Sequence, residues 1–407
     1  MKNQSLIIVG AGPLGLEAAL RASYDGYDVT VLEKREVGAA VSSWGHVKLF
    51  TPFSMNSSAA GRTVTDSKIA EDQLLTGAHF AADYLQPLSE CKNLQGRVLT
   101  NHEVVAVSRA TYGKSDRIGS PRRSEAPFRL LVNAPTGQQI FEADILIDCT
   151  GFISRHRHIG IGGIPCPGEN LLPDSCYQIP DFDSDRNRFA NRHTLVIGSG
   201  YSAATSICML ADLASTAPQT KITWLTRGSN SSPLAVTPDD PLPERARLTE
   251  TANQLANNDG SCVDWVCDWQ VECIARSSDQ YNIELRRPAE DQDNKNKGRA
   301  LQISADEVIA NVGSRPNTQP FEELQIHRCY ATEGPIKLAA HLLGETSSDC
   351  LQQSSGGAAL LKNPEPDFYI LGAASYGRDN RFLIQTGLKQ MEELFDHLKA
   401  EKNGVTE

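Results

Sequence analysis

The sequence predicts an α/β fold with two Rossmann-like three-layer units. Three observations carry that prediction: a strand–turn–helix–strand pattern over residues 6–33, a second copy of it over 194–227, and short apolar strands that close each unit. In the first pattern, residues 6–9 are an apolar run. Gly10-Ala11-Gly12-Pro13-Leu14-Gly15 follows, 16–22 has helical character, and 28–32 is a β-branched strand ending at the acid Glu33. In the second, 194–197 is the strand and Gly198-Ser199-Gly200-Tyr201-Ser202-Ala203 the turn. Residues 204–213 are the helix, and 221–226 a strand ending at Arg227. The copies lie about 190 residues apart, which is duplication of an architecture and not a short-period repeat. The closing strands are 143–148 before Cys149-Thr150-Gly151, 305–310 before Asn311-Val312-Gly313, and 367–371 before Gly372-Ala373-Ala374. Polar stretches at 113–127, 288–299 and 346–357 read as solvated loops, the second as a hairpin tip.

Each glycine turn has the chemistry of a pyrophosphate cradle. Gly10 permits the tight turn out of the strand, Gly12 lets a phosphate approach the backbone, and Gly15 lets helix and strand pack closely. The helix N-terminus then faces the phosphates with its partial positive charge. Glu33, about 18 residues past Gly15, is placed to accept hydrogen bonds from ribose hydroxyls, and it would repel a 2′-phosphate. The first turn is therefore expected to take FAD or NAD. The second, Gly198-x-Gly200-x-x-Ala203, is the Gly/Ala variant, and its second strand ends in Arg227 where the first ends in an acid. A guanidinium suits a 2′-phosphate, so NADPH is expected there.

Composition narrows the classes. The chain has 407 residues, enough for two or three domains, and a net charge of -11, so no attraction to nucleic acid or an anionic membrane is expected. No apolar stretch reaches the length of a membrane span, and the start reads as a buried strand, not a targeting segment. The 10 cysteines are scattered without a Cys-x-x-Cys pair, which suits a reducing cytoplasm. No metal set is expected: His156-x-His158 reads as an exposed turn.

Taken together, Gly10–Gly15 with Glu33, Cys149-Thr150-Gly151, Gly198–Ala203, Asn311-Val312-Gly313-Ser314-Arg315-Pro316-Asn317 and Tyr369–Gly372 resemble the two-dinucleotide-binding-domain flavoproteins. That superfamily spans pyridine nucleotide-disulfide oxidoreductases and flavin-containing monooxygenases. The resemblance covers nearly the whole chain. It implies an FAD-binding domain from 1–155 and 322–407, an NADPH-binding domain at 190–320 inserted between them, and a connection at 156–189. It also implies a homodimer and cofactor contacts at Gly10, Gly12, Pro13, Gly15, Glu33, Lys34, Trp44, Val104, Thr150, Gly151, Gly198, Gly200, Tyr201, Ser202, Ala203, Arg227, Gly313 and Gly372. A helix start within 381–390 is expected near the flavin ring.

Two departures matter. The family's Gly-Asp is here Gly372-Ala373, so the ribityl contact is expected from another residue, Asp379 or Asn380. No redox cysteine pair stands at a family position, and Cys262-x-x-x-x-Cys267 does not match one. In the segment Ser43-Trp44-Gly45-His46-Val47-Lys48, Trp44 is a candidate wall over the flavin, and His46 and Lys48 candidates for the substrate entrance. The expected activity is an FAD-dependent oxidoreductase that takes hydride from NADPH and oxygenates a small-molecule substrate. Two alternatives stand beside it: a reductase of a disulfide or electron-carrier protein that lacks its own dithiol, and a redox-sensing flavoprotein of low turnover.

Overall fold

The computed structural model describes residues 3–404 apart from 153–154, 229–230, 259, 288–299, 346–348, 350, 352–354 and 403. These residues form two compact units, Met1–Arg155 with Ser314–Glu407, and His156–Gly313. The first begins with β1 (Ser5–Val9), helix α1 (Pro13–Tyr24) and β2 (Asp28–Leu32). Leu6 and Ile8 enter one hydrophobic core and Ile7 and Val9 another, because alternate side chains of a strand leave opposite faces. A strand covered on both faces needs the continuous apolar run that the sequence shows. Pro13 stands in the first turn of α1, where its missing N–H costs no hydrogen bond.

The short strand β3 (Val98–Leu99) follows. Then β4 (Glu103–Arg109), β5 (Phe128–Ala134) and β6 (Gly137–Ala143) make an antiparallel sheet, and β7 (Ile145–Asp148) returns to the parallel one beside β1. Phe128, Leu130 and Val132 of β5 alternate into the core, so this sheet covers one face of the parallel sheet.

The second unit repeats the plan. β8 (His193–Ile197), helix α2 (Tyr201–Thr216), β9 (Lys221–Thr226), helix α3 (Pro243–Asn257), β10 (Val263–Cys267) and β14 (Glu307–Ala310) give a parallel sheet of order β10-β9-β8-β14. Between its last two strands, β11 (Gln270–Ser277), β12 (Gln280–Arg286) and β13 (Ala300–Ala305) form an antiparallel sheet. The charged run 288–299 lies outside the described residues. The segment 156–189, expected as a connection, belongs to this unit. Ile159, Cys166, Leu172 and Cys176 fill one of its cores, and Phe182 and Phe189 another.

The chain rejoins the first unit at Ser314, ahead of the expected 322, because Phe321 is buried in that unit's core. Helix α4 (Ile336–Gly344), strand β15 (Phe368–Ile370) and helix α5 (Ile384–Lys402) complete it. The parallel sheet then reads β15-β7-β1-β2-β3. In both units the strand before the glycine turn sits where the strand order reverses, the place at which open α/β sheets bind ligands. Among the described residues no helix is long and apolar enough to cross a membrane.

Candidate functional site

The first glycine turn is shaped by what a side chain would strike. Gly10 has φ +106°, and a Cβ there would stand 2.7 Å from the carbonyl oxygen of Cys149. At Gly15 a Cβ would stand 1.8 Å from the carbonyl oxygen of Gly10. Over Gly12, by contrast, nothing lies within 4 Å of where a Cβ would be, so the space a pyrophosphate needs is open. The Glu33 carboxylate braces the turn: it accepts from the Ala11 N–H (2.7 Å) and, through its other oxygen, from the Arg35 N–H (2.9 Å). Each carboxylate oxygen keeps a lone pair for a ribose hydroxyl. Lys34 is exposed and paired with Glu103 (2.6 Å), while the Val104 side chain is buried in the core.

Beside the turn, Asp148 ends β7. Its Oδ1 accepts from both the N–H (2.9 Å) and the hydroxyl (2.7 Å) of Thr150. Burial raises its carboxyl above the usual range, and these two bonds oppose the rise. Gly151, at φ +69°, again leaves open space. Burial pushes the Cys149 thiol well above its ordinary value and neighbouring Asp148 adds to it, so this cysteine keeps its proton. Arg328 stands in the field of Asp148, and its Nη2 is buried without a partner among the described residues. An orphan donor of that kind fits an anionic or carbonyl-rich group such as FAD carries.

Trp44 is partly buried and lies against Gly77, where a Cβ would come within 2.8 Å of the indole. His46 Nε2 is buried and has no partner among the described residues. Lys48 is exposed and bridges to Thr76 in backbone pairing. Gly372 has φ +72°, and its N–H donates to Gln390 Oε1 (3.1 Å), a fully buried residue of α5. Ser375 completes that knot, its hydroxyl donating to the Gly372 carbonyl (2.7 Å). The Asp379 carboxylate, expected as a stand-in for the missing aspartate, is engaged by Arg381 Nε (2.9 Å). Helix α5 starts at Ile384, inside the expected segment.

The second turn has the same opening and a different frame. Gly198 has φ +136°, and a Cβ there would stand 2.2 Å from the carbonyl oxygen of Asn311; over Gly200 the space is open. Tyr201 starts α2, Ser202 is exposed and Ala203 fully buried. The indole N–H of Trp224 donates to the Gly198 carbonyl (2.7 Å). The Ser206 hydroxyl donates to Asn311 Oδ1 (2.8 Å) below the turn. Arg227, one residue past β9, is exposed and has no hydrogen-bond or ion-pair partner among the described residues. Gly313 turns at φ +84° after β14.

Sequence reasoning missed the roles of Trp224, Gln390 and Arg328, and read Asn311 only as the start of a motif. Trp224 alone left a signal, as a large indole donor in a strand beside a glycine turn. Cys262 and Cys267 are free, and the strand β10 between them separates their Cα atoms by roughly 16 Å, too far for a disulfide. The nine described cysteines are all free, and Cys350 lies outside the described residues. His156 and His158, expected in an exposed turn, are half-buried and gathered with buried Glu169, which pulls that turn inward.

A family model described as pyridine nucleotide-disulphide oxidoreductase matches residues 4–336. No curated protein matches the chain. Among solved structures, bacillithiol disulfide reductase Bdr (YpdA) of Bacillus cereus superposes with a TM-score of 0.67 at 17% identity, over 98% of this chain and 100% of that one. Thioredoxin reductase of T. acidophilum gives 0.59 at 14% identity, over 99% and 100%. Ornithine N-hydroxylase of Kutzneria sp. 744 gives 0.58 at 16% identity, over 98% and 100%. At these identities the likeness is one of fold.

Proposed function

The chain belongs to the pyridine nucleotide-disulphide oxidoreductase family, a class of FAD- and NAD(P)H-dependent oxidoreductases, and we propose that it is a monooxygenase that works without a cysteine relay. The observation that carries this reading is the state of the thiols. Cys149, the cysteine beside the first glycine turn, is buried, and Cys262 and Cys267 are kept apart by β10. An oxidoreductase without an accessible thiolate at that turn must hand electrons to a molecule that enters the site. Bound FAD supplies a two-electron carrier that reacts with oxygen.

In this reading FAD lies on the Gly10–Gly15 turn, its ribose hydroxyls on Glu33. NADPH lies on the Gly198–Ala203 turn with its 2′-phosphate on Arg227. The open space over Gly12 and Gly200 supports both placements. Trp44 walls the flavin, and the unpartnered Nε2 of His46 holds the substrate or a proton at that atom. The balance is NADPH, a proton, oxygen and substrate to NADP⁺, water and oxygenated substrate.

A second reading is favoured by the likeness in fold to the bacillithiol disulfide reductase: a reductase of a small disulfide or carrier protein that uses no dithiol of its own. Anaerobic reduction with NADPH, followed by rapid mixing with oxygen, separates the two. A transient absorbance before reoxidation, and an atom of labelled oxygen in a product, are expected for the monooxygenase. Direct reoxidation without a transient, together with NADPH-driven reduction of low-molecular-weight disulfides, overturns it in favour of the reductase. The substrate screen starts from small nucleophiles.

A further inference from the structure

We propose that His156, His158 and Glu169 form a binding site for a divalent first-row transition ion, with Zn²⁺ the probe of choice, inside the second unit. The three ligand atoms lie within 4.8 Å of one another. Two imidazole nitrogens and one carboxylate oxygen are a donor set that zinc and its neighbours take with high affinity. His158 Nδ1 stands 3.1 Å from Glu169 Oε1. Two ligands of a tetrahedral ion with bonds of about 2.0 Å stand roughly 3.3 Å apart, so this pair is already spaced for one.

The surroundings orient each ligand, as outer-shell partners do in metal sites. His156 Nδ1 faces the carbonyl oxygen of Arg157 at 3.0 Å. A carbonyl only accepts, so Nδ1 carries the proton and Nε2 holds the lone pair. The ring is pinned by Tyr177, stacked on it at 3.4 Å between centroids and 10° between planes. The Tyr177 hydroxyl in turn donates to Glu169 Oε1 (2.8 Å), while Oε2 accepts from the Cys166 N–H (3.0 Å). Burial alone would raise the Glu169 carboxyl. The Cys166 N–H, the Tyr177 hydroxyl and His158 outweigh it and hold the group below its usual range, ionised.

The ion takes the position between His158 Nδ1 and Glu169 that a proton holds in the metal-free protein, and that proton moves to the ring's other nitrogen. In the metal-free protein His158 Nδ1–H donates to Glu169. On binding, the neutral ring carries its proton on Nε2, and Nδ1 and the carboxylate turn their lone pairs to the metal. Three protein ligands leave a fourth position for water. The His158 side chain is 35% exposed, so the ion has a way in.

The test is calorimetric titration of chelator-treated full-length protein with ZnCl₂. One ion per chain is expected, with affinity weakened at least ~10-fold in His156→Ala and in His158→Ala. Both histidines are half-exposed, so both variants are expected to keep wild-type melting and flavin content. Glu169→Gln removes a buried charge with four partners, His158, Cys166, Tyr177 and the Ile159 N–H, and serves only as a third check. Loading with Co²⁺ gives an independent readout: intense visible bands of four or five coordination, lost in either histidine variant. No zinc binding by the wild type, or equal binding by wild type and the histidine variants, overturns the proposal.

Discussion

In the first unit a methyl group on Gly15 would stand 1.8 Å from a backbone oxygen, whereas in the second unit the matching position carries a real methyl, on fully buried Ala203. The two units otherwise share a plan: a parallel sheet, a three-stranded antiparallel sheet, and a glycine turn at the point where strand order reverses. Even the irregularities correspond, with bulges in β4 after Val104 and in β11 after Val271. The frames differ. Helix α1 sits hard against its turn and Glu33 laces the turn to the end of β2. In the second unit Trp224 and the Ser206–Asn311 pair support the turn from beneath, and the strand end is left to an exposed cation, Arg227. On the proposed assignment, one cradle serves two nucleotides because the selective group stands at the end of the neighbouring strand and not in the cradle itself.

The sharpest way to break this comparison is Gly15→Ala. The backbone of α1 must move away from Gly10, at about 3 kcal/mol, and the purified protein is expected to lack flavin absorbance. Retention of the yellow colour and of wild-type melting would mean that the close approach at Gly15 is not needed. Next comes Arg227→Ala. Loss of charge-assisted bonds to a 2′-phosphate predicts a KM for NADPH raised roughly 10- to 100-fold, with the KM for NADH unchanged. Equal effects on both nucleotides would remove Arg227 as the selective group. Glu33→Gln keeps the shape and removes the charge, so FAD affinity is expected to fall about fivefold, measured by flavin fluorescence on dilution. The smallest effect belongs to Ala203→Gly, which makes the second turn look like the first. Its cost is about 1 kcal/mol of helix propensity, read in thermal unfolding, with NADPH kinetics unchanged.

Much of this frame was legible in the sequence because its signals are local. Glycines at fixed offsets, an acid or a base at a strand end, and continuous apolar runs all fall within about thirty residues of one another. The strands at Ser5–Val9, Asp28–Leu32 and Lys221–Thr226 follow from that grammar. What escaped are long-range pairings. Gly372 donates to Gln390 across an intervening helix, and Glu365 accepts from Arg109 and Arg123, more than 240 residues earlier. No local pattern says which of many arginines will meet which carboxylate. The antiparallel sheets escaped for a related reason. Their strands carry mixed burial, as in β6, and their identity comes from partners and not from their own pattern. The histidine pair was misread because its half-burial depends on Glu169 and Tyr177, which lie 11 and 19 residues past His158 in a segment without a regular apolar pattern.

The order of the strands in the first sheet also has a consequence for biosynthesis. β7 is the partner of β15, and all four of its residues are buried, yet β15 is translated more than 200 residues later. On the ribosome the inserted unit emerges whole while the first unit still has an apolar, unpaired edge at Ile145–Asp148. The nascent chain therefore passes through a stage with one finished unit and one open sheet. Chaperone demand, and losses to aggregation during expression, should concentrate in the interval before Phe368–Ile370 leaves the exit tunnel.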